Sequence, residues 1–253
     1  MGRVNIGEAL TTSFQVFLKN IGMLVLGGLL VLVLSFCVII MPPLMVGLYI
    51  MCLKAARGQT VEIGDLFAGF SKIVPAYVVV IVIGIAVGIL YFIAMLPLMG
   101  AFGVSGHQGG DAAANAFGAI AMVMMIVVTI GVILLAPIFG LAFPAVADGM
   151  GAMEALTFSF QRGLANWPAL FVLSLCIALA QGLVGGITGG LASLLTMPWS
   201  ALVIAIAYMQ VIGETPVVEG ATPSLPTQKP PAPTEEPTAP PAEDTSDEPP
   251  ASE

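Results

Sequence analysis

Residues 7–25 read GEALTTSFQVFLKNIGMLV, and residues 153–171 read MEALTFSFQRGLANWPALF. At one constant offset, Glu8, Ala9, Leu10, Thr11, Ser13, Phe14, Gln15, Leu18, Asn20 and Leu24 recur as Glu154, Ala155, Leu156, Thr157, Ser159, Phe160, Gln161, Leu164, Asn166 and Leu170. In the first copy Leu10, Phe14, Phe17, Leu18 and Ile21 follow the i, i+4, i+7, i+8 spacing of one helix face, with Glu8, Thr11, Thr12, Gln15 and Lys19 mostly opposite. Each copy is therefore an amphipathic helix, and each runs straight into a long apolar stretch. Such a helix either lies flat at the headgroup level of a membrane or packs in a small cytoplasmic bundle; the direct run into a span favours the first. A weaker third version, DLFAGFSKIVPAY at 65–77, keeps the Leu66 and Phe70 spacing and the span that follows. The polar residues shared by the two copies, Glu8, Ser13 and Gln15 with Glu154, Ser159 and Gln161, either form a recognition surface or cap and solvate the helix.

Composition agrees with lipid as the solvent. Of 253 residues, 58 % are hydrophobic and 9 % charged, against roughly 45–50 % and 25 % in soluble domains. The run Ile21–Met41 carries no charge and contains fourteen Leu, Ile, Val or Phe residues, enough to favour insertion by roughly −4 to −8 kcal/mol before glycine penalties. It is too long for the core of a cleavable signal peptide, so it is read as a span that stays. Met1-Gly2 lacks the Ser or Thr that a myristoylation signal needs, because Ile6 stands there.

Pro42-Pro43 is expected to stop the first helix. Leu44–Leu53 is then either a thin crossing or a re-entrant arm, with one long kinked helix over 21–53 as the competing reading. Ile73–Leu96 forms a third span ending at Pro97, and Ala112–Ala147 a fourth that is too long to stay straight, with a break near Pro137 or Pro144. Pro168–Thr188 and Leu194–Ile212 complete six. The fold class is thus all-α: a polytopic helical membrane protein of about six spans in repeated interfacial-helix plus hairpin units. The units cover about 5–58, 62–148 and 149–213 within a membrane domain of residues 1–213.

With six crossings, Arg3, Lys19, Lys54, Arg57, Lys72 and Arg162 all fall on one side. The positive-inside rule makes that side, and both termini, cytoplasmic. Residues 1–213 balance six basic against six acidic groups, whereas residues 214–253 hold nine acids and Lys229. The net charge of −8 is therefore a property of the tail. This tail, with eleven prolines, cannot repay the entropy of ordering and is expected to be a disordered cytoplasmic segment, dispensable for folding when cut after Ile212. Its partner, if it has one, is a basic cytoplasmic protein. Nucleic acid is excluded as a partner, because phosphate binding needs a basic surface.

PPLMVGLYIMCLKAARGQTVEIGDLFAGF (42–70) and FPAVADGMGAMEALTFSFQRGLANW (143–167) resemble bacterial multi-pass inner-membrane families of unknown function. These include families related to the membrane domain found beside glycerophosphodiester phosphodiesterases. The resemblance covers most of residues 5–213 and rests on a Gly-Leu-Tyr span, a GD-LFAGF step and an EAL-x-x-S-F helix. It implies the architecture and a bacterial inner membrane, and no catalytic residue, since the phosphodiesterase domain is absent.

Chemistry is sparse. His107 and Asp111 in GVSGHQGGD are too few ligands for a metal site, and no nucleophile or phosphate-binding motif is present. Cys37, Cys52 and Cys176 lack metal or redox spacing and read as small buried hydrophobes. No cofactor is called for. No ionisable residue falls inside a span, and Gln181 is expected to bridge helices. Gly84 and Gly88, and Gly182, Gly186 and Gly190, have the four-residue spacing that lets helices approach closely, within one chain or between the copies of a homo-oligomer. The function that follows is a non-enzymatic membrane scaffold or regulator, and its rival is a transporter or channel for a small solute or lipid.

Overall fold

The computed structural model describes residues 4–104, 110–188 and 193–217. Every element among them is helical: α1 (Ile6–Lys19), α2 (Ile21–Leu34), α3 (Met41–Ala56), α4 (Gly64–Ala68), α5 (Ile73–Val104), α6 (Gly110–Phe139), α7 (Ala142–Ala147), α8 (Ala152–Ala165), α9 (Trp167–Thr188) and α10 (Ser193–Ile212). Short 3-10 turns at Val38–Ile40 and Gly69–Lys72 join α2 to α3 and α4 to α5. Residues 218–253, most of the expected disordered tail, lie outside the described residues.

Four helical stretches are long and apolar enough to cross a bilayer: 64–100, 115–147, 167–186 and 194–212. A fifth arises if α1 and α2, which meet at 93°, form one broken span. The expected six is thus reached only in part, and the shortfall lies at α2 and α3. At 14 and 16 residues these helices extend about 21 and 24 Å, less than a hydrocarbon core of about 30 Å.

The expected 21-residue helix ends early, and the prolines do not end it. Ser35 turns its hydroxyl back to the Leu32 carbonyl (2.6 Å), and the next backbone bonds tighten to i→i−3: Cys37 N–H to Leu34 O (3.0 Å) and Ile40 N–H to Cys37 O (2.9 Å). Pro42 and Pro43 then sit in the first turn of α3, where a missing N–H costs nothing. They start a helix. A single kinked helix over 21–53 is ruled out, because a Cβ on Gly27 of α2 would meet the Met51 side chain of α3 at 2.9 Å, so the two lie side by side. Pro97 likewise does not end the third span: α5 continues through it to Val104. The break near Pro137 is present, with α6 ending at Phe139 and α7 resuming at Ala142.

Among the described residues α3 and α10 together supply nearly half of the buried core. Twelve of the sixteen α3 residues are buried, and α10 buries Leu202, Ile206, Tyr208 and Met209 almost completely. Tyr49 of α3 stacks on Phe143 of α7 (6.1 Å), and Tyr208 meets Phe158 of α8 edge-on (5.6 Å). These two tyrosines are core residues. Cysteine placement also departs from expectation: Cys52 is buried, Cys176 half-buried and Cys37 exposed at the α2–α3 turn.

The short amphipathic helices pack in a regular way. The α4 segment with its 3-10 turn rests on α3, α8 rests on α6 and α7, and α1 rests on α10. Each therefore leans on the returning arm of the hairpin before it, with α1 meeting the last arm.

Candidate functional site

Three helices, α3, α7 and α10, end in glycines with left-handed backbone: Gly58 (φ 69°), Gly149 (φ 111°) and Gly213 (φ 87°), the only such positions among the described residues. In each case the residue after the glycine bonds the carbonyl five positions back: Gln59 to Lys54 (2.9 Å), Met150 to Ala145 (3.0 Å) and Glu214 to Met209 (2.9 Å). This is the Schellman arrangement, which satisfies carbonyls that would otherwise be orphaned at a helix end. Only glycine adopts that φ without strain.

Next to these glycines stand the groups that tie the three ends together. Arg57, just before Gly58, donates Nη1 to Asp148 Oδ1 (2.7 Å) and both Nε (3.0 Å) and Nη2 (2.9 Å) to Glu214 Oε2. Asp148 precedes Gly149 and Glu214 follows Gly213, so one guanidinium joins all three ends. Its fork geometry suits this, since five donors in one plane serve two carboxylates at once. The Asp148 hydrogen bond is the main cause that holds the Arg57 guanidinium still more firmly protonated than usual. Tyr208 donates its hydroxyl to Asp148 Oδ2 (3.0 Å), and the Val217 N–H reaches the Ala56 carbonyl (2.8 Å).

Two smaller ties flank this knot. Lys54 pairs with Asp65 at 2.5 Å, and Asp65 also accepts the Glu62 N–H (2.9 Å), which docks α4 on α3. The Asn5 N–H donates to Gln210 Oε1 (2.9 Å), docking α1 on α10, while Gln210 Nε2 is buried without a partner. The cluster offers fixed charge and no exposed nucleophile. Its evident work is to hold helix ends. The expected tail boundary at 214 is corrected here: Glu214 and Val217 belong to the folded body.

The repeated helices can be compared residue by residue. α1 and α8 each run 14 residues, and each ends at an asparagine whose amide bonds the carbonyl four back: Asn20 to Val16 and Asn166 to Arg162, both 3.1 Å. Thr11 and Thr157 bond back in the same way, at 2.8 Å. Glu8, Gln15, Glu154 and Gln161 are exposed, whereas Ser13 and Ser159 are fully buried. The serines diverge in use. Ser13 donates within its own helix to Leu10 O (2.8 Å), and Ser159 donates across to Ile138 O (2.6 Å) in α6.

Among the described residues the glycine expectation is not met within the chain. A Cβ at Gly84, Gly88, Gly182 or Gly186 would meet nothing within 4 Å, and Gly190 lies outside the described residues. The close approaches are made instead by isolated glycines. Gly47 faces the Leu66 backbone, Gly69 faces the Pro43 carbonyl and Gly47, and a Cβ on Gly163 would sit 2.5 Å from Ile138 O. Gly47 and Gly69 belong to the Gly-Leu-Tyr and GD-LFAGF motifs, which gives those motifs a packing reason. Spacing finds glycines that share a face; it does not find the face that is covered.

Gln181 is exposed on α9 and borders a 210 Å³ cavity with Gly28, Leu32, Leu194, Thr196 and Met197. Among the described residues no hydrogen bond joins it to a neighbouring helix, so the expected bridge is not formed there. His107 lies outside the described residues, and its pairing with Asp111 with it. Among the described residues no three His, Cys, Asp or Glu side chains gather as metal ligands. The sequence carries one signal for the knot: basic and acidic residues beside glycine at helix ends, in ARG (56–58), ADG (147–149) and GE (213–214). No family model, curated protein or solved structure matches the chain, so the resemblance to bacterial membrane families rests on its motifs alone.

Proposed function

We propose that the chain is a multi-pass protein of the bacterial inner membrane, with both termini cytoplasmic, that acts without catalysis as a scaffold or regulator. It consists of three units, each an amphipathic helix followed by a hairpin: α1 with α2–α3, α4 with α5–α6–α7, and α8 with α9–α10. The observation that carries this reading is the convergence of the three returning arms on Arg57, each arm closed by the same glycine cap. The packing of α1 on α10 closes the three units into a ring. A body tied in this way suits holding a surface in place. The acidic tail is then the segment offered to a basic cytoplasmic partner.

The test is cross-linking of the full-length protein in its native membrane, followed by mass spectrometry of what co-purifies. A scaffold retains a defined protein partner, and removal of residues 218–253 releases a partner held by the tail. Solute movement across liposomes containing the purified protein alone would instead establish the transporter or channel.

A further inference from the structure

The turn between α2 and α3 carries the most exposed large apolar side chains among the described residues, Phe36 at 90 % and Ile39 at 78 %. Cys37 between them is exposed as well. No charged residue lies between Lys19 and Lys54, and Ser35 is the one hydroxyl in the turn. Water is a poor solvent for such a tip. The α5–α6 connection differs, since its sequence, GVSGHQGGD, is polar.

The backbone of the turn is provided for internally. Ser35 N–H donates to Val31 O (2.8 Å), Cys37 N–H to Leu34 O (3.0 Å) and Ile40 N–H to Cys37 O (2.9 Å), while the Ser35 hydroxyl donates to Leu32 O (2.6 Å). Pro42 and Pro43 open α3, so two positions that would otherwise present orphan N–H groups have none. A turn facing water has no need of this economy. A turn in hydrocarbon does, because lipid offers backbone groups no partner.

Neighbouring helices set the depth of the tip. Leu32 shares a 210 Å³ cavity with Gln181 of α9 and Leu194 of α10. From Leu32 the tip at Phe36 is four residues on, an advance of no more than about 6 Å even if fully helical. From Gln181, α9 runs seven residues further to Thr188, about 10 Å. The tip therefore stops short of the far end of α9, whose 22 residues extend about 33 Å and match a hydrocarbon core of about 30 Å. Along its length α2 buries Leu24, Gly27, Gly28 and Val31 against protein and exposes Met23, Leu26, Leu29 and Val33.

Resting on the membrane reading above, we propose that α2–α3 is a re-entrant hairpin that enters from the cytoplasmic side and turns inside the hydrocarbon. Phe36, Cys37 and Ile39 lie among acyl chains, so the partner of this apolar tip is lipid. The internal hydrogen bonding of the turn selects that occupant over water, and the missing depth selects it over an emerging loop. α3 carries the returning arm back to Arg57 and the knot. The four long helical stretches then make the crossings, an even number that keeps both termini on one side.

Cys37 is a native probe of this tip. Full-length protein carrying Cys176→Ser, which removes the half-buried thiol, is labelled with a nitroxide in detergent and reconstituted in vesicles of phosphatidylcholine and phosphatidylglycerol. Collisions are read with oxygen, which dissolves in hydrocarbon, and with a water-soluble nickel complex. Oxygen should relax the label at Cys37, and the nickel response should be lost relative to a label at Gln59→Cys on the exposed turn after α3. A nickel response at Cys37 equal to that at position 59 overturns the hairpin by placing the tip in water. Spin–spin broadening that vanishes on dilution with unlabelled protein overturns it by placing a second copy there. Unfolding in mixed micelles adds a label-free check: Ile39→Asp should shift the equilibrium toward the unfolded state by about tenfold or more, and Gln59→Asp by less than about twofold. Equal shifts count against the hairpin. Alkaline extraction of native membranes is read separately: a released protein ends the membrane reading, whereas a retained protein with a nickel-accessible Cys37 ends only the hairpin.

Discussion

α3 and the α5–α6 hairpin are both strongly apolar, yet they occupy opposite places in the molecule. α3 has 16 residues, too few to cross comfortably, and twelve of them are buried. α5 and α6 have 32 and 30 residues, and within their most apolar windows only 11 % and 6 % are buried. Hydropathy reports which solvent a helix tolerates. It does not report whether lipid or protein supplies that solvent. Backbone access decides the difference here: Gly47 lets the Leu66 backbone lie directly on α3, while Gly84 and Gly88 of α5 meet nothing.

Substituting these glycines gives the sharpest contrast. A side chain on Gly47 collides with main chain, which cannot move as a flexible side chain would, so Gly47→Leu should destabilise by about 3 kcal/mol or more. Gly84→Leu and Gly186→Leu should leave the unfolding temperature of the isolated chain unchanged or slightly raised, because leucine is the better helix former and the added atoms enter open space. Unfolding in detergent compares them directly. Equal losses at Gly47 and Gly84 would erase the distinction between a covered and an uncovered helix.

A smaller effect separates the folded body from the tail. A chain ending at Ile212 loses the Gly213 cap, the Glu214 link to Arg57 and the Val217 bond to Ala56. A chain ending at Val217 keeps all three. The first should unfold more easily by about 1–2 kcal/mol, discounted because Glu214 is partly exposed, and the second should match the full chain. If the two truncations melt alike, the end of α10 is not held by the knot, and the ring loses its closing contact.

Much of this was legible in the sequence where residues act locally. Asn20 and Asn166 end their helices alike because each amide reaches a carbonyl of its own helix, and the break expected near Pro137 falls just beyond it, between Phe139 and Ala142. The span from Trp167 and the one ending at Ile212 fall where apolar length places them. What depends on partners was not legible. Pro42-Pro43 breaks or starts a helix according to what Ser35 and Cys37 do just before it. Arg57, counted as a topology marker, became the centre of the candidate site because two segments far along the chain brought Asp148 and Glu214 to it.

The hairpin itself supplies the finest test. Tyr91 of α5 and Thr129 of α6 place their oxygens 3.2 Å apart in an otherwise apolar contact. Hydrogen bonds between helices in lipid are worth about 0.6 kcal/mol on average, because a separated helix in the membrane also finds partners. Tyr91→Phe and Thr129→Val should therefore each cost less than about 1 kcal/mol, with a coupling near that average in a double-mutant cycle. The hairpin should persist in all three variants, since its long apolar faces and not this pair hold α5 beside α6. A coupling above about 2 kcal/mol would mean that the pair lies in a drier, more protein-like setting than the exposed faces around it indicate, and the contrast between the buried α3 and the lipid-facing hairpin would narrow accordingly.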